Sequence, residues 1–463
     1  EIMSSDWSSD VCSSDLKLTF STDTVTFDTI FTNIGSTTKN FKIYNPYNKP
    51  IQISNIRLAG GNNSNFRLNI NGINENYLTD HEIPAKDSVY IFVEVTVDPT
   101  GQNNPLVIKD SVVFETNGNY QDIKLIAFGQ DVNLFNGYVL SQDTTLFAEK
   151  PYLIYNSMLV DSLVTLTIEQ GTQLHFHHNS SLIVKGRLIV NGTFEDPVIF
   201  EGDRLEAMYD DIAGQWGAVI NYESGATYVL GGIHFMQGSH GNYINFAEIK
   251  NGTKGIQIDT LMDYDTPALT LLNTKIEHMT YAGIFAQGSS IYAGNCVIAD
   301  CGKYAIALLY GGGYEFYHCT VSNTGSPVPN ATRTTPSVLI NNYFIYDEVV
   351  YVRPLWNATF GNCIIHGSNS QEIELDRFEE QGQFNYHFDH CLIKLSETEN
   401  IDTTNHEYFN NITWNEYPNF ISVQEYNYAL DTLSPAKDKG KHEYAGFLPV
   451  DIENNPRLND IAP

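Results

Sequence analysis

Short runs of alternating apolar and polar residues fill this chain, and between positions 245 and 394 one run recurs in nearly the same words. Its instances are Ala247-Glu-Ile249, Thr274-Lys-Ile276, Cys296-Val-Ile298, Cys319-Thr-Val321, Cys363-Ile-Ile365 and Cys391-Leu-Ile393. In each, a small residue and a branched apolar one stand two apart, so both face one side of an extended strand. Ile276 to Ile298 spans 22 residues, Cys296 to Cys319 spans 23, and Cys319 to Cys363 spans 44, which reads as two periods. Ile256, Ile284 and Ile306 follow Ile249, Ile276 and Ile298 by 7, 8 and 8 residues, giving each coil a second inward strand at one offset. Strands this short, at this period, predict a parallel solenoid with no room for helices.

The same grammar begins near Phe135, where Val164-Thr-Leu166-Thr-Ile168, Leu182-Ile-Val184 and Leu188-Ile-Val190 are cut by Gly171, Gly186 and Asn191-Gly192. The Leu-x-x-Leu-x-Leu spacing of a leucine-rich repeat does not recur, so a right-handed parallel β-helix fits better. The 27-residue step from Ile249 to Ile276 is longer than its neighbours, and residues 261–267 supply a loop for the excess. Residues 325–354, with prolines at 327, 329, 336 and 354, hold a second insertion. Upstream, Phe41-Lys-Ile43, Ile51-Gln-Ile53, Phe66-Arg-Leu68-Asn-Ile70 and Val89-Tyr-Ile91-Phe-Val93 alternate between turns such as Gly60-Gly61 and Asn117-Gly118. That pattern predicts an antiparallel β-sandwich. The expected order is therefore residues 1–16 outside any fold, a sandwich over 17–133, the β-helix over 134–430 and a closing segment over 431–463.

Composition narrows the partners. With 25 basic and 55 acidic residues the chain carries a formal charge of −30, which repels nucleic acid, anionic lipid and polyanionic sugars. No nucleic-acid partner is expected. Four of the six cysteines, Cys296, Cys319, Cys363 and Cys391, fall at one place in the repeat. Together with Ala247 and Thr274 they predict a ladder of small buried packers, not a disulfide framework. No run of 18 apolar residues marks a membrane-spanning helix.

Several phrases resemble known families. Thr165 to Thr172, Gly186 to Thr193, Pro197-Val-Ile-Phe200 and Gly214-Gln-Trp-Gly217 resemble the right-handed β-helix surface proteins of Bacteroidota, whose fold is that of the pectate-lyase-like solenoids. The phrases Phe41-Lys-Ile-Tyr-Asn-Pro46, Ile83-Pro-Ala-Lys-Asp-Ser-Val89 and Phe114-Glu-Thr-Asn-Gly118 resemble Ig-like domains of the ASH/SPD-2/HYDIN group, which implies a spacer or a protein-docking module. The resemblance implies a cell-envelope protein, at the outer membrane or the extracellular surface. Residues 6–16 resemble a translated sequencing adapter, so the native leader, and with it any lipid anchor to the membrane, is expected to be missing; Cys12 is not that anchor. The tail resembles the closing segment of these β-helices without its last strand, so it too is expected to be cut short.

Candidate chemistry is sparse. Polygalacturonase-like phrases reduce to Asp210-Asp211 and an isolated His366-Gly367 about 155 residues away. Arg187, Arg204, Arg353 and Arg377 are scattered, against a uronate lyase, which needs cations to neutralise the carboxylate. Asp210 and Asp211, like Asp263 and Asp265, are either a carboxylate pair, for hydrolysis or for calcium, or solvated loop residues. His175-x-His177 places two imidazoles on one strand face without a completing ligand, so no metal site is assigned. Asn273, Asn295, His318, Asn362 and His390 precede the small inward residues, as a polar binding stripe or as a turn ladder bonded to itself. Tyr310, Tyr314 and Tyr317, around a flexible Gly311-Gly-Gly313 hinge, are the expected sugar-stacking residues. Trp216 reads as a structural wedge. The expectation is an all-β, non-catalytic surface protein that binds a glycan, adheres or acts as a scaffold, without a cofactor unless calcium. The alternative is a carbohydrate-active enzyme on a neutral polysaccharide.

Overall fold

The structure, a computed structural model, describes residues 16–32, 34–99, 106–221, 227–260, 266–324, 332–379, 381–396 and 401–457. The chain divides after Val132 into two compact units. Residues 6–15 of the adapter-like stretch, with Cys12, and Asp263 and Asp265 lie outside the described residues.

In the first unit, four strands (Thr19–Phe20, Lys39–Tyr44, Ser88–Val95 and Phe66–Ile70) form one sheet and five (Thr24–Phe31, Asn119–Gln130, Leu106–Thr116, Ile51–Leu58 and Tyr77–Ile83) another. Every pairing is antiparallel except that of Thr24–Phe31 with Asn119–Gln130. Alternate residues of both sheets meet in one core, with Phe27 against Phe66 and Phe41 edge-on to Phe114 at 6.3 Å. The Asn-Pro phrase has a structural role here. Asn45 is buried, and its Nδ2 donates to the carbonyls of Lys49, Ile83 and Pro84, so one side chain ties two turns together.

The second unit is a parallel β-helix of three stacked sheets. Sheet 1 carries the recurring phrase: Phe200, Ile249, Ile276, Ile298, Val321, Ile365 and Ile393 follow one another in register. Sheet 2 carries Ile233, Ile256, Ile284, Ile306, Val338 and Ile373 in register. Sheet 3 stacks Phe316, Phe360, Phe388 and Phe409 inside the coil, their rings near parallel at about 5 Å, the spacing of neighbouring strands. Burial of these inward side chains is the main driving force for stacking coil on coil.

The 44-residue step is a single coil, contrary to the reading of two periods. Strand Thr320–Asn323 pairs directly with Ile364–Gly367. The extra length leaves the coil as an antiparallel hairpin, Tyr343–Tyr346 with Val349–Val352, and as the segment around Arg333. Arg333 ends in a buried fork to Glu372, with Nη2 to Oε1 at 2.7 Å and Nη1 to Oε2 at 2.9 Å, which pins that segment to the next coil.

The inward ladder has a hydrogen-bond role as well. Thr274 Oγ1, and the thiols of Cys296, Cys319, Cys363 and Cys391, each donate to the carbonyl two residues back. All four cysteines are buried and free. The residues just before them, Asn273, Asn295, His318, Asn362 and His390, are left-handed, with φ between 47° and 56°. Their side chains bond along the axis, Asn295 to Asn273 and Asn362 to His318, so this column is a turn ladder.

Past the last rung, Thr413–Trp414, the chain turns back and crosses the outer side of sheet 1 as a strap, residues 416–457. Phe420 and Tyr428 bury Val297, Ala299, Ile364 and Leu392. Asp389 anchors the strap, accepting from Tyr444 Oη at 2.6 Å and Lys441 Nζ at 3.2 Å. Gly361 is required there, because a Cβ would meet the Tyr444 ring at 2.7 Å.

Candidate functional site

The three candidate tyrosines do not form one site. Tyr314 is fully buried, since Ile291 and Tyr314 are register partners and both point inward. Its hydroxyl donates to Gly311 O at 2.9 Å, inside the corner, so it cannot stack on a sugar. Tyr317 lies against Tyr444 of the strap. Tyr310 alone reaches a partly open outer face. The triple glycine is not a hinge either: Gly311 and Gly312 take φ of +70° and +120° within one continuous strand, and a Cβ on Gly311 would sit 2.4 Å from Pro354 O.

The outer side of sheet 2 carries the aromatic surface that those tyrosines were expected to provide. Tyr281 stands at the corner where sheet 1 turns into sheet 2, and it meets Phe285 and Tyr304 edge-on at 5.9 and 6.4 Å. Lys303 Nζ lies 5.0 Å from its ring centre. Beyond it, Tyr310 packs on Phe344 at 5.0 Å, and Phe344 stacks on Tyr351 of the hairpin at 5.0 Å and 10°. Burial raises the Tyr281 phenol above its ordinary pKa, and Tyr310 adds to the rise, so the two ring groups are neighbours. The hairpin tip presents Tyr346, 70% exposed, beside Asp347 and Glu348. Arg353 places Nη1 near Thr260 Oγ1 at 3.4 Å. The hairpin within residues 325–354 thus packs on Tyr310, and Arg353 after it reaches Thr260, just before the expected insertion at 261–267. Residues 261–265 and 325–331 lie outside the described residues.

A second cluster occupies the same corner on the sheet 1 side. Glu277 points outward from its strand and lines a cleft of about 930 Å³ between sheet 1 and the strap. Its Oε1 is sealed from solvent without a hydrogen-bond partner. Burial, opposed by Lys275 and reinforced by Asp300 and Glu248, pushes this carboxyl up to about 7. Asp300 accepts from Tyr428 Oη. His278, lowered by burial, has Nε2 3.7 Å from Asp211 Oδ1, and its ring meets Tyr426 edge-on at 4.3 Å. Tyr426 is raised to about 12, first by burial and then by Asp211 and Asp300. Of the two loop aspartates, Asp210 offers its backbone carbonyl to Asn251, and Asp211 alone turns its carboxylate to the cluster.

The other candidates are structural in their geometry. His175 faces Glu201 and His177 faces Asp203, so the two imidazoles serve different carboxylates. Among the described residues, no three His, Cys, Asp or Glu side chains are placed to hold a metal ion. Trp216 is buried, stacked on Phe176 at 4.3 Å, with Nε1 donating to Lys250 O. Asn295, His318, Asn362 and His390 form the turn ladder and also line the cleft. Glu277, Tyr281, Phe285 and Phe344 were not singled out in the sequence. The signal was parity, since Phe285 follows inward Ile284 and must face out.

Comparison with known proteins gives the fold. The family profile described as "Right handed beta helix region" matches residues 167–324 and 231–415. No curated protein matches. Among solved structures, the YadV chaperone is 14% identical over 25% of this chain and 51% of its own, at a TM-score of 0.18. A family 123 glycoside hydrolase from Clostridium perfringens is 6% identical over 25% of each chain, also at 0.18. The Salmonella enterica SafA pilin in complex with the SafB chaperone gives 9% identity over 25% of this chain and 55% of that one, again at 0.18. Each match spans about half or less of the solved chain, and at that score none carries an argument about this one.

Proposed function

Because the chain belongs to the right-handed β-helix family, we propose that it is a glycan-binding protein of a bacterial cell surface which holds a neutral polysaccharide along the outer side of sheet 2. One observation carries this reading: two adjoining groups of partly exposed rings, Tyr281 with Phe285 and Tyr304, then Tyr310 with Phe344 and Tyr351, lie on one face. Rings present flat apolar surface to the C–H faces of sugars, and tyrosine hydroxyls offer polar tips for sugar hydroxyls. A formal charge of −30 disfavours polyanionic chains and leaves neutral ones. The sandwich unit serves as a spacer or a protein-docking module in this reading. Affinity gel electrophoresis of the purified chain in soluble glucomannan, xyloglucan, laminarin and mannan tests it. Retardation by at least one polymer is expected, weakened about tenfold by Tyr351→Ala, which is ~1.4 kcal/mol. Absence of retardation by all four would remove the reading.

A further inference from the structure

Glu277 Oε1 is sealed with no hydrogen-bond donor facing it, a state few buried acceptors keep in a folded chain. Neighbouring donors are committed elsewhere. Lys250, its register partner one coil back, pairs with Glu201 Oε2 at 2.9 Å, and the Tyr428 hydroxyl, brought in by the strap, is donated to Asp300. The residue as a whole is nonetheless partly exposed, and it lines the cleft of about 930 Å³ between sheet 1 and the strap. From there the cleft follows the outward column of sheet 1, where Lys275, Val297, Thr320, Ile364 and Leu392 succeed one another in register and all line it. Val297, Ile364 and Leu392 give it an apolar floor, and Tyr426 and Tyr428 of the strap line it as well. A carboxyl with an apolar floor leading away from it fits a ligand with a positive head and an aliphatic tail. An anion would meet Glu277, Glu248 and Asp300 at like charge. A metal ion needs several ligands, and among the described residues no three His, Cys, Asp or Glu side chains are placed to hold one. An ammonium group brings its own donors and asks only for an acceptor.

We infer that the cleft under the strap is a binding site for a linear aliphatic primary amine, whose ammonium group donates to the Glu277 carboxylate while its chain lies on Val297 and Ile364. The site is separate from the ring face on sheet 2 and does not depend on a glycan binding there. Binding is coupled to one proton. Glu248, Lys250 and Lys275 of sheet 1, Asp300 and Cys301 of the next coil, and Tyr426 and Tyr428 of the strap surround the carboxyl. With burial as the main cause, it titrates at about 7 in the chain alone. It must be ionised to hold an ammonium group, so affinity rises with pH across that value as the proton is released.

Isothermal titration calorimetry of the full chain with n-pentylamine in phosphate buffer tests the site, with pentanol as the uncharged tail and ammonium chloride as the head without a tail. One saturable site for n-pentylamine is expected, at least about tenfold tighter than either control. Its affinity should rise about tenfold from about pH 6 to about pH 8, since a carboxyl titrating at about 7 is roughly a tenth ionised at the first and roughly nine-tenths at the second. Glu277→Gln keeps the shape and removes the charge, so it should bind n-pentylamine about tenfold or more weakly and lose the rise with pH. The pH series on the parent chain decides the matter even where that variant does not fold. Absence of a saturable site, equal binding of pentanol, a flat pH profile, or unaltered binding in folded Glu277→Gln would each overturn the amine site.

Discussion

The outer side of sheet 1 has two halves built on one inward column. In the earlier coils, Glu201 and Lys250 pair at 2.9 Å, His175 faces Glu201 at 3.3 Å, and Glu248 is partly open to solvent. In the later coils the corresponding positions are Val297, Ala299, Ile364 and Leu392, all buried under Phe420 and Tyr428. The inward residues barely change between the halves. The outward residue alone decides whether a coil faces water or carries the strap, because a strand apolar on both sides must be covered on both.

The largest effect that would break this contrast is loss of the strap's anchor. Asp389 is buried and accepts from Tyr444, His390, Lys441 and Asn410. Asp389→Ala leaves those donors without their acceptor, at a cost of about 3–5 kcal/mol. Urea unfolding should show that loss, and hydrogen exchange should show residues 416–457 exposed while the coils around Ile249 keep their protection. Acid acts on the same contact. Burial raises the Asp389 carboxyl, but its hydrogen bonds from Tyr444, His390 and Lys441 outweigh that and lower it to about 2. Its stabilising contribution is thus complete above about 4 and fades as pH falls toward 2; in Asp389→Asn that part of the acid dependence should vanish.

Next in size is a paired truncation along one outward column. Glu248, Lys275, Val297, Thr320, Ile364 and Leu392 follow each other in register. Leu392→Ala, under the strap, should cost about 2–4 kcal/mol, and Glu248→Ala, on the open half, no more than about 0.5 kcal/mol. Equal costs in denaturant titrations would mean that the strap does not seal the later coils.

The same column explains how far the sequence could be read. The inward phrase located the strands of sheets 1 and 2, since small and branched residues two apart repeat at coil length. The strap escaped because residues 416–457 have no repeat of their own and meet their partners across long separations, as Tyr428 meets Asp300. A local trace did exist: Val297-Ile-Ala299 and Cys363-Ile-Ile365 are apolar at consecutive positions, a loss of alternation that marks a strand covered twice. The 44-residue step failed for a different reason, because a hairpin outside the solenoid matches a coil in length and not in register. Tyr314 failed on parity, in register with inward Ile291. Glu277 could not be recognised from its neighbours in sequence, since the cleft it lines is closed by the strap.

At the boundary of the two halves, the pH response of Glu277 sharpens the comparison. Its carboxyl titrates near 7 in the fold and near 4.5 unfolded. The folded state therefore bears no penalty from it below about 4.5, a growing one as pH rises toward 7, and a constant one above. Glu277→Gln removes that term, so relative to the parent chain the variant should gain roughly 2 kcal/mol between pH 5 and pH 8. A constant difference across that range in denaturant titrations would place the carboxyl in water, outside the seal of the strap.

The smallest effect belongs to the inward ladder, which the strap should leave untouched. Thr274 Oγ1 donates to Leu272 O and Cys296 Sγ to Gly294 O, the same bond one coil apart at the edge of the covered half. A serine at either place keeps a donor in reach, so Thr274→Ser and Cys296→Ser should each cost about 1 kcal/mol or less and agree within about 0.5 kcal/mol. Burial pushes the Cys296 and Cys363 thiols up, and thiolate is the reactive form. Cys296 and Cys363 should therefore resist alkylation in the folded chain and react in urea. A much larger cost at Cys296 than at Thr274, or alkylation of Cys296 without unfolding, would mean that the strap reaches through the sheet to the inward side.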